Sequence, residues 1–280
     1  MTAAKLSRRG GLGRRAPAIV TLSLAIGLGP GLARPHSGRD GQPLRYAAAQ
    51  LDCARFRESS RSEVATYVAG HTRRETVGLD GEWRFRAALA PGDSVHLEGW
   101  LDTLALWRRA EQDSLEPDTD GIIGGRYRGL LSPDGRYRGE TTPFVPDPLL
   151  EVADLARALD DLLPRLPPRL PAVGETWSDG AGLEIRRLAD SSGAEPIYRF
   201  RLTLRLDVAE AALRGDSLPL KLRQSIREDG EFAWGDRQGL LRRERRVAVE
   251  TYVPAEARVG RPVQARIEQR VVLERLQREC

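Results

Sequence analysis

The sequence has 280 residues, of which 44 are Lys or Arg and 40 are Asp or Glu, for a formal net charge of +4. The first 33 residues hold five of the cations and no acid, so the rest of the chain has a net charge of −1. The net charge therefore gives no reason to expect that the protein binds nucleic acid or another polyanion. Apolar residues make up 40% of the chain, which indicates a folded protein.

Residues 1–33 have the organisation of a secretory signal peptide. Basic residues come first, an apolar run follows over 18–28, and small residues lead to a cleavage site near Ala33. The apolar run is too short to span a bilayer. The Arg8-Arg9 pair leaves ordinary secretion and twin-arginine export both open. We therefore expect an exported protein, periplasmic or extracellular, with no transmembrane segment after signal removal.

Strand-like alternation dominates residues 34–147, which we take as an N-terminal β lobe. Trp83 and Phe85 alternate with charged residues, as expected for a half-buried strand. The sequence Arg-Tyr-Arg-Gly occurs at 126–129 and again at 136–139, on either side of Ser-Pro-Asp-Gly. Because that tetrapeptide favours a type I turn, the two copies predict a hairpin.

Two motifs in the same lobe have an ordinary and a functional interpretation. Glu116, Asp118 and Asp120 have the spacing of a calcium-binding loop, but Tyr127 stands where the bidentate Glu belongs. A turn that enters a strand is the favoured interpretation, with a weak calcium site left open. The glycine-rich run over 121–125 lacks the Lys and the Ser or Thr of a phosphate loop, so a turn is again favoured.

Residues 148–171 predict the main helix followed by a proline-rich spacer. Leucines and Val recur at spacings of three and four over 148–163, which is typical of an amphipathic helix. Asp147 can cap this helix and Pro148 suits its first position. Pro164 ends it, and the prolines up to Pro171 favour an extended spacer. The helix is expected either as a lid packed on a sheet or as a gate over a ligand cavity.

Long alternating strands are predicted in residues 172–280, the C-terminal β lobe. The clearest are 198–208, 241–253 and 263–273, each with one apolar and one polar face. The apolar faces are candidates for the wall of an apolar cavity, and the residues chosen for it are Phe200, Leu202, Leu204, Val247, Val249, Ile267 and Val271. The polar faces are expected to carry a group of arginines that either pair across strands or bind an anionic glycan, namely Arg242, Arg243, Arg245 and Arg246.

The chain has two cysteines, Cys53 and Cys280. In an oxidising compartment they could form one disulfide that ties the ends of the mature chain together, or stay as two free thiols. Three histidines at no ligand spacing and two cysteines make no metal framework, so we expect no metal and no cofactor.

Two short motifs carry a resemblance to a known kind of protein. Val-Gly-Glu-Thr-Trp at 173–177 follows the leucine-rich segment, and Asp-Arg-Gln-Gly-Leu at 236–240 precedes a strand. In these features residues 146–280 resemble uncharacterised exported bacterial proteins of half-barrel, lipoprotein-carrier-like type. The resemblance implies a curved antiparallel sheet with helices across its mouth, and it implies no activity.

These observations predict an α+β fold dominated by antiparallel sheet, with one main helix, either as two half-barrel lobes or as one wrapped curved sheet. We expect an exported, non-catalytic protein that binds an apolar ligand, a lipid or a lipoprotein segment. A structural or interaction protein of the cell envelope is the main alternative. A glycan hydrolase is a third possibility, for which acidic pairs such as Glu98 and Asp102 are the only candidate catalytic residues.

Overall fold

The computed structural model describes residues 41–191, 195–213, 220–255, 261–278 and 280. The predicted signal peptide lies outside the described residues. The strands and helices described below belong to one compact unit, Arg39–Cys280.

Antiparallel strands account for most of this unit. The described residues form twelve strands: β1 (Arg55–Val68), β2 (His71–Leu89), β3 (Val95–Ala110), β4 (Ser114–Leu115), β5 (Tyr127–Leu131), β6 (Tyr137–Thr141), β7 (Thr176–Ser178), β8 (Leu183–Arg187), β9 (Ile197–Leu213), β10 (Leu220–Gly235), β11 (Gly239–Val253) and β12 (Val263–Arg275). In the same part of the chain, helical structure is limited to α1 (Ala48–Leu51), α2 (Asp147–Leu150) and two single 3-10 turns, Pro91–Asp93 and Leu155–Arg157. The α component expected from the sequence is therefore very small.

All twelve strands belong to one curved, unclosed sheet. Its order is β6-β5-β3-β2-β1-β12-β11-β10-β9-β8-β7, and β4 pairs with the far end of β3. The first and last long strands meet at the centre, where β1 pairs with β12 over thirteen residue pairs from Phe56↔Arg275 to Val68↔Val263. One wrapped sheet is thus formed from strands of both expected lobes.

The predicted hairpin is present, with β5 and β6 paired around the turn at 132–136. The three long alternating segments of the C-terminal half are also strands, and each extends beyond its predicted limits as β9, β11 or β12. These predictions are confirmed. They succeeded because period-two alternation and turn residues indicated the same strands over long stretches.

We call the face of the sheet that packs against residues 147–170 the inner face, and residues 147–170 the cover. The core lies between them and includes the large buried side chains Trp83, Phe85, Phe200 and Trp234. From the cover it includes a series of leucines with one Val, namely Leu149, Val152, Leu155, Leu159, Leu162, Leu163, Leu166 and Leu170. Every apolar position that suggested a helix is therefore buried, as an amphipathic pattern requires.

The predicted helix over 148–163 is nevertheless wrong. Only Asp147–Leu150 is α-helical, and the chain then turns at Asp154, where the N–H of Leu155 donates to the carbonyl of Ala153. Such a three-residue turn breaks the helical hydrogen-bond ladder. The remainder is one 3-10 turn and a series of further turns, so the cover is an irregular chain.

Side chains outside the cover explain why the cover need not be helical. Tyr127 of β5 donates from its hydroxyl to the carbonyl of Leu155 at 2.8 Å, and Tyr46, which precedes α1, donates to that of Pro164 at 2.9 Å. The guanidinium of Arg243 on β11 donates to the carbonyls of Asp161 and Leu162. Buried carbonyls need a partner, and here these side chains supply it. The leucine spacing alone carried no information about these donors.

The outer face carries arginines and glutamates in cross-strand pairs. Arg270 reaches Glu244 at 2.8 Å, and Arg242 contacts Glu244 and Glu274, each at 3.2 Å. The cross-strand interpretation of the arginine group is therefore correct for Arg242, which reaches Glu274 on β12. Arg243 and Arg245, however, point to the inner face, because alternation along β11 places every second residue there.

Cys53 and Cys280 form a disulfide bond in the structure, with their Cα atoms 4.9 Å apart. It links the residues just before β1 to those after β12, the two strands that pair at the centre of the sheet. Its position therefore reinforces the contact that joins the two halves of the molecule.

Candidate ligand-binding site

Part of the inner face extends beyond the cover and presents a continuous row of apolar side chains. Val64 lies opposite Ile267, Ile267 opposite Val249, Val249 opposite Ile226 and Ile226 opposite Leu206. We call these five residues the wall row. All five are only partly buried. Since neighbouring strands are about 4.8 Å apart, the row runs about 19 Å across five strands.

The rows on either side of the wall row are mixed in character. Nearer the cover lie Ser62, Gln269, Val247, Glu228 and Leu204, and farther from it lie Thr66, Ala265, Thr251, Gln224 and Val208. Of these three rows only the wall row is apolar throughout, and polar side chains interrupt the rows on both sides of it. Its shape suits an extended chain better than it suits the broad apolar centre of a protein–protein interface.

One end of the wall row opens into a pocket of about 420 Å³ between the inner face and the cover. Val64 and Ile267 line both the row and the pocket. The polar side chains on the sheet side of the pocket, which we call its floor, are Glu58, Ser60, Ser62, Arg245 and Gln269, and the apolar side chains Val77, Leu79 and Trp83 line the pocket beside them. On the cover side, charged residues at the rim are Asp154, Arg157, Asp160 and Asp161. Its volume is within the range of small-molecule sites in proteins.

The polar groups of the floor are held in fixed positions by hydrogen bonds. The indole Nε1 of Trp83, itself buried, donates to Glu58 at 2.8 Å. The amide Nε2 of Gln269 donates to the hydroxyl of Ser60 at 3.0 Å. Among the described residues, the carboxylate of Glu58 accepts no second hydrogen bond, and the side-chain amide oxygen of Gln269 accepts none. The floor therefore presents acceptors that the protein has not used.

Arg245 and Glu58 give the floor one charge of each sign. Burial raises the pKa of Glu58, and the hydrogen bond from Trp83 and the positive charges of Arg245 and Arg243 partly oppose that rise. Burial also lowers the pKa of Arg245, with the repulsion of Arg243 adding to it and Glu228 opposing it. The two shifts have the same largest cause, because protein atoms have replaced much of the water around both groups.

An ion pair lies beside Arg245 on the inner face. Arg243 contacts Glu228 at 2.7 Å, and both side chains are 9% exposed. Arg245 lies 3.6 Å from the other carboxylate oxygen of Glu228. Since Arg243 also binds the carbonyls of the cover, this pair connects β10 and β11 to the wall of the pocket.

The residues chosen from the sequence as an apolar cavity fall into two groups. Phe200, Leu202 and Val271 are buried, with Phe200 and Leu202 in the packed core. Val247, Val249, Ile267 and Leu204 keep exposed surface on the inner face. Of the seven, Ile267 alone lines the pocket.

Other residues considered from the sequence lie away from this pocket. Asp102 pairs with Arg84, and Glu98 pairs with Arg128 at 2.6 Å, both on β3. In the calcium-like loop, Asp118 accepts the backbone N–H of Asp120 at 3.0 Å, which is the ordinary bonding of a turn. No group of three metal-binding side chains occurs within the ranges that the structure describes.

Of the floor residues, the sequence patterns pointed only to Arg245, which was expected on the polar face, and Glu58, Ser60, Ser62 and Gln269 were not predicted. Alternation places Gln269 in the apolar series of β12, which otherwise reads Val263, Ala265, Ile267, Val271 and Leu273. Glu58 and Ser60 interrupt the inner series of β1 in the same way. A polar residue at an apolar position is the signal that could have found them. Only the strand register shows that these interruptions adjoin one another.

The fold and the pocket together define the class of protein: an unclosed antiparallel sheet whose inner face combines an apolar strip with a pocket that has a polar floor. No helix in the described ranges has the length and apolar character to cross a membrane. No protein-family model matches the chain, and no curated protein is similar to it at a significant level.

Proposed function

We propose that this protein is a non-catalytic binder of a lipid-like molecule with a single apolar chain. The observation that carries the proposal is the wall row, an uninterrupted apolar strip that the cover leaves partly exposed. Water contact with such a strip costs about 25 cal/mol for each Å² of apolar surface, so an apolar ligand gains by covering it.

The shape of the surface favours a chain over a protein partner. Polar side chains interrupt the rows on both sides of the strip, and the strip leads into the pocket between sheet and cover. A protein surface would need a wider apolar centre to form a stable complex. An envelope partner or a lipoprotein segment is the alternative occupant that the experiment below distinguishes.

We further propose that the protein acts outside the cytoplasm, in the periplasm or the medium. The Cys53–Cys280 disulfide supports this proposal, because disulfides persist in oxidising compartments and are rare in the cytosol. The signal-like residues 1–33 and the resemblance of residues 146–280 to exported half-barrel proteins are further support.

The binding proposal is tested with mature protein purified without detergent. We expect native mass spectrometry to show a bound lipid, and an apolar fluorescent probe to saturate near one equivalent on the stripped protein. Val249→Asp places a charge in the wall row and should weaken probe binding by at least about tenfold, a loss of about 1.4 kcal/mol. The matched control is Ala248→Asp, which alternation places on the outer face and which should leave binding unchanged.

Circular dichroism and thermal unfolding must show that both variants keep the fold. Equal loss in the two variants, or no saturable binding by the unmodified protein, contradicts the proposal. A protein partner whose binding responds to Val249→Asp while the probe does not bind would favour the envelope-interaction alternative.

A further inference from the structure

The polar floor of the pocket indicates the head group of the ligand, provided that the wall row binds an apolar chain as proposed above. A ligand held only by its chain would need no polar groups at the end of the wall row. The floor instead brings together a carboxylate, a guanidinium, two hydroxyls and an amide, contributed by β1, β11 and β12. These groups lie where a chain on the wall row would end.

We propose that the floor binds the uncharged polyol head group of the ligand, a sugar or glycerol moiety joined to a single apolar chain. A hydroxyl group both donates and accepts hydrogen bonds. Glu58 accepts, Arg245 donates, and Gln269 has an unused carbonyl oxygen beside the Ser60 hydroxyl. Adjacent hydroxyls of a polyol can therefore satisfy groups of both kinds at once.

The charges of the floor disfavour an ionic head group. The floor holds Glu58 and Arg245, one charge of each sign, so an ionic head of either sign meets a like charge there. Burying an ion also requires a well-placed partner of opposite sign. Arg245 already faces Glu228, and that distance is 3.6 Å. An uncharged head avoids both costs and keeps the hydrogen bonds.

The rim adds a bias against anionic head groups in particular. Asp154 and Asp161 are exposed at the edge of the pocket, where they repel an approaching carboxylate or phosphate. Asp160 is paired with Arg157 at 2.9 Å and is thereby partly neutralised. Among amphiphiles with one chain length, the fatty acid should therefore bind less tightly than the polyol compound.

The experiment compares three amphiphiles of the same alkyl chain length below their micellar concentrations: an alkyl glucoside, a fatty acid and an alkyltrimethylammonium salt. Isothermal titration with the stripped mature protein should rank the glucoside tightest, by about tenfold, since two or three neutral hydrogen bonds contribute at that level. Gln269→Leu should weaken glucoside binding by about tenfold and leave an apolar fluorescent probe unaffected.

The control is Gln264→Leu, the same replacement on the outer face of β12, which should leave the affinity for the glucoside and for the probe unchanged. Equal affinities for the three head groups, or tightest binding of an ionic one, overturn the polyol inference but leave the chain-binding function standing. Unchanged glucoside binding in Gln269→Leu also overturns it. Failure of all three amphiphiles and of the probe overturns the proposed function itself.

Discussion

Glu58 is the residue at which the chemistry of the pocket can be measured without a ligand. Burial raises its pKa, so the folded protein holds a proton there more tightly than the unfolded chain does. The stability that this group contributes is fully present below the unfolded pKa of about 4.3 and is lost as the pH rises through the higher folded pKa.

Replacing the carboxylate should therefore stabilise the protein at high pH. Glu58→Gln keeps a carbonyl acceptor for Trp83, and we expect it to raise the free energy of unfolding at about pH 8 but not at about pH 4. Urea unfolding at the two pH values measures the difference. Glu63→Gln, exposed on the same strand, should have no effect at either pH. A loss of stability in Glu58→Gln at both pH values would contradict this account of the carboxylate.

At the residue scale the sequence predicted the apolar wall better than the polar pocket. Val249 and Ile267 were found because alternation alone assigns a residue to a face. Arg243 and Arg245 were assigned to the wrong face, because four arginines around one glutamate were taken as a single surface group. Their burial depends on Glu228, an acid on another strand whose partner no local pattern shows.

The cover is the element in which local and tertiary signals disagree. The leucines that repeat at helical spacing, Leu155, Leu159 and Leu162 among them, are buried as the helical pattern predicted, but the backbone of the cover is mostly turns. Helix propensity contributes a few tenths of a kcal/mol per residue, whereas a buried hydrogen bond from Arg243 or Tyr127 contributes about 1 kcal/mol or more. Several such bonds at fixed positions outweigh the local preference.

Arg243 is the side chain on which the attachment of the cover depends most. We expect Arg243→Met to lower the free energy of unfolding by about 3–5 kcal/mol, because it removes the closer of the two partners of the buried Glu228 and leaves only Arg245 at 3.6 Å. Amide hydrogen exchange over 158–166 should accelerate, since two carbonyls of the cover lose their donor.

The neighbouring position supplies the control for this prediction. Arg242→Met removes an exposed ion pair on the outer face and should cost no more than about 1 kcal/mol. The double variant Arg243→Met/Glu228→Leu should regain part of the lost stability, because it removes the uncompensated charge. Equal destabilisation by the two single variants would show that burial of the ion pair is not the cause.

At the scale of the whole molecule, the chain closes on itself through its first and last long strands. The β1–β12 ladder makes one sheet of two halves, and the Cys53–Cys280 disulfide lies beside it. The sequence predicted the individual strands but left two lobes and one wrapped sheet open. Pairing between strands about 200 residues apart has no local signature, so that choice needed the three-dimensional structure.

The disulfide should contribute strongly to stability because it closes a loop across 227 residues. The loop-entropy model predicts a loss of about 5 kcal/mol in the free energy of unfolding on reduction. Urea unfolding with and without reductant measures it. Cys53→Gly/Cys280→Ser should be as unstable as the reduced protein and insensitive to reductant, where Gly suits the positive φ of 55° at position 53. A loss below about 1 kcal/mol on reduction would contradict the prediction.

The central claim is that the wall row holds the apolar chain of a ligand. The most direct measurement is a crystal structure of the mature protein with a single-chain amphiphile that carries bromine at the end of its chain. We predict an anomalous bromine peak about 4 Å from a wall-row side chain, on the inner face beyond the cover. A peak on the outer face, or none under conditions that saturate binding in solution, would contradict the account.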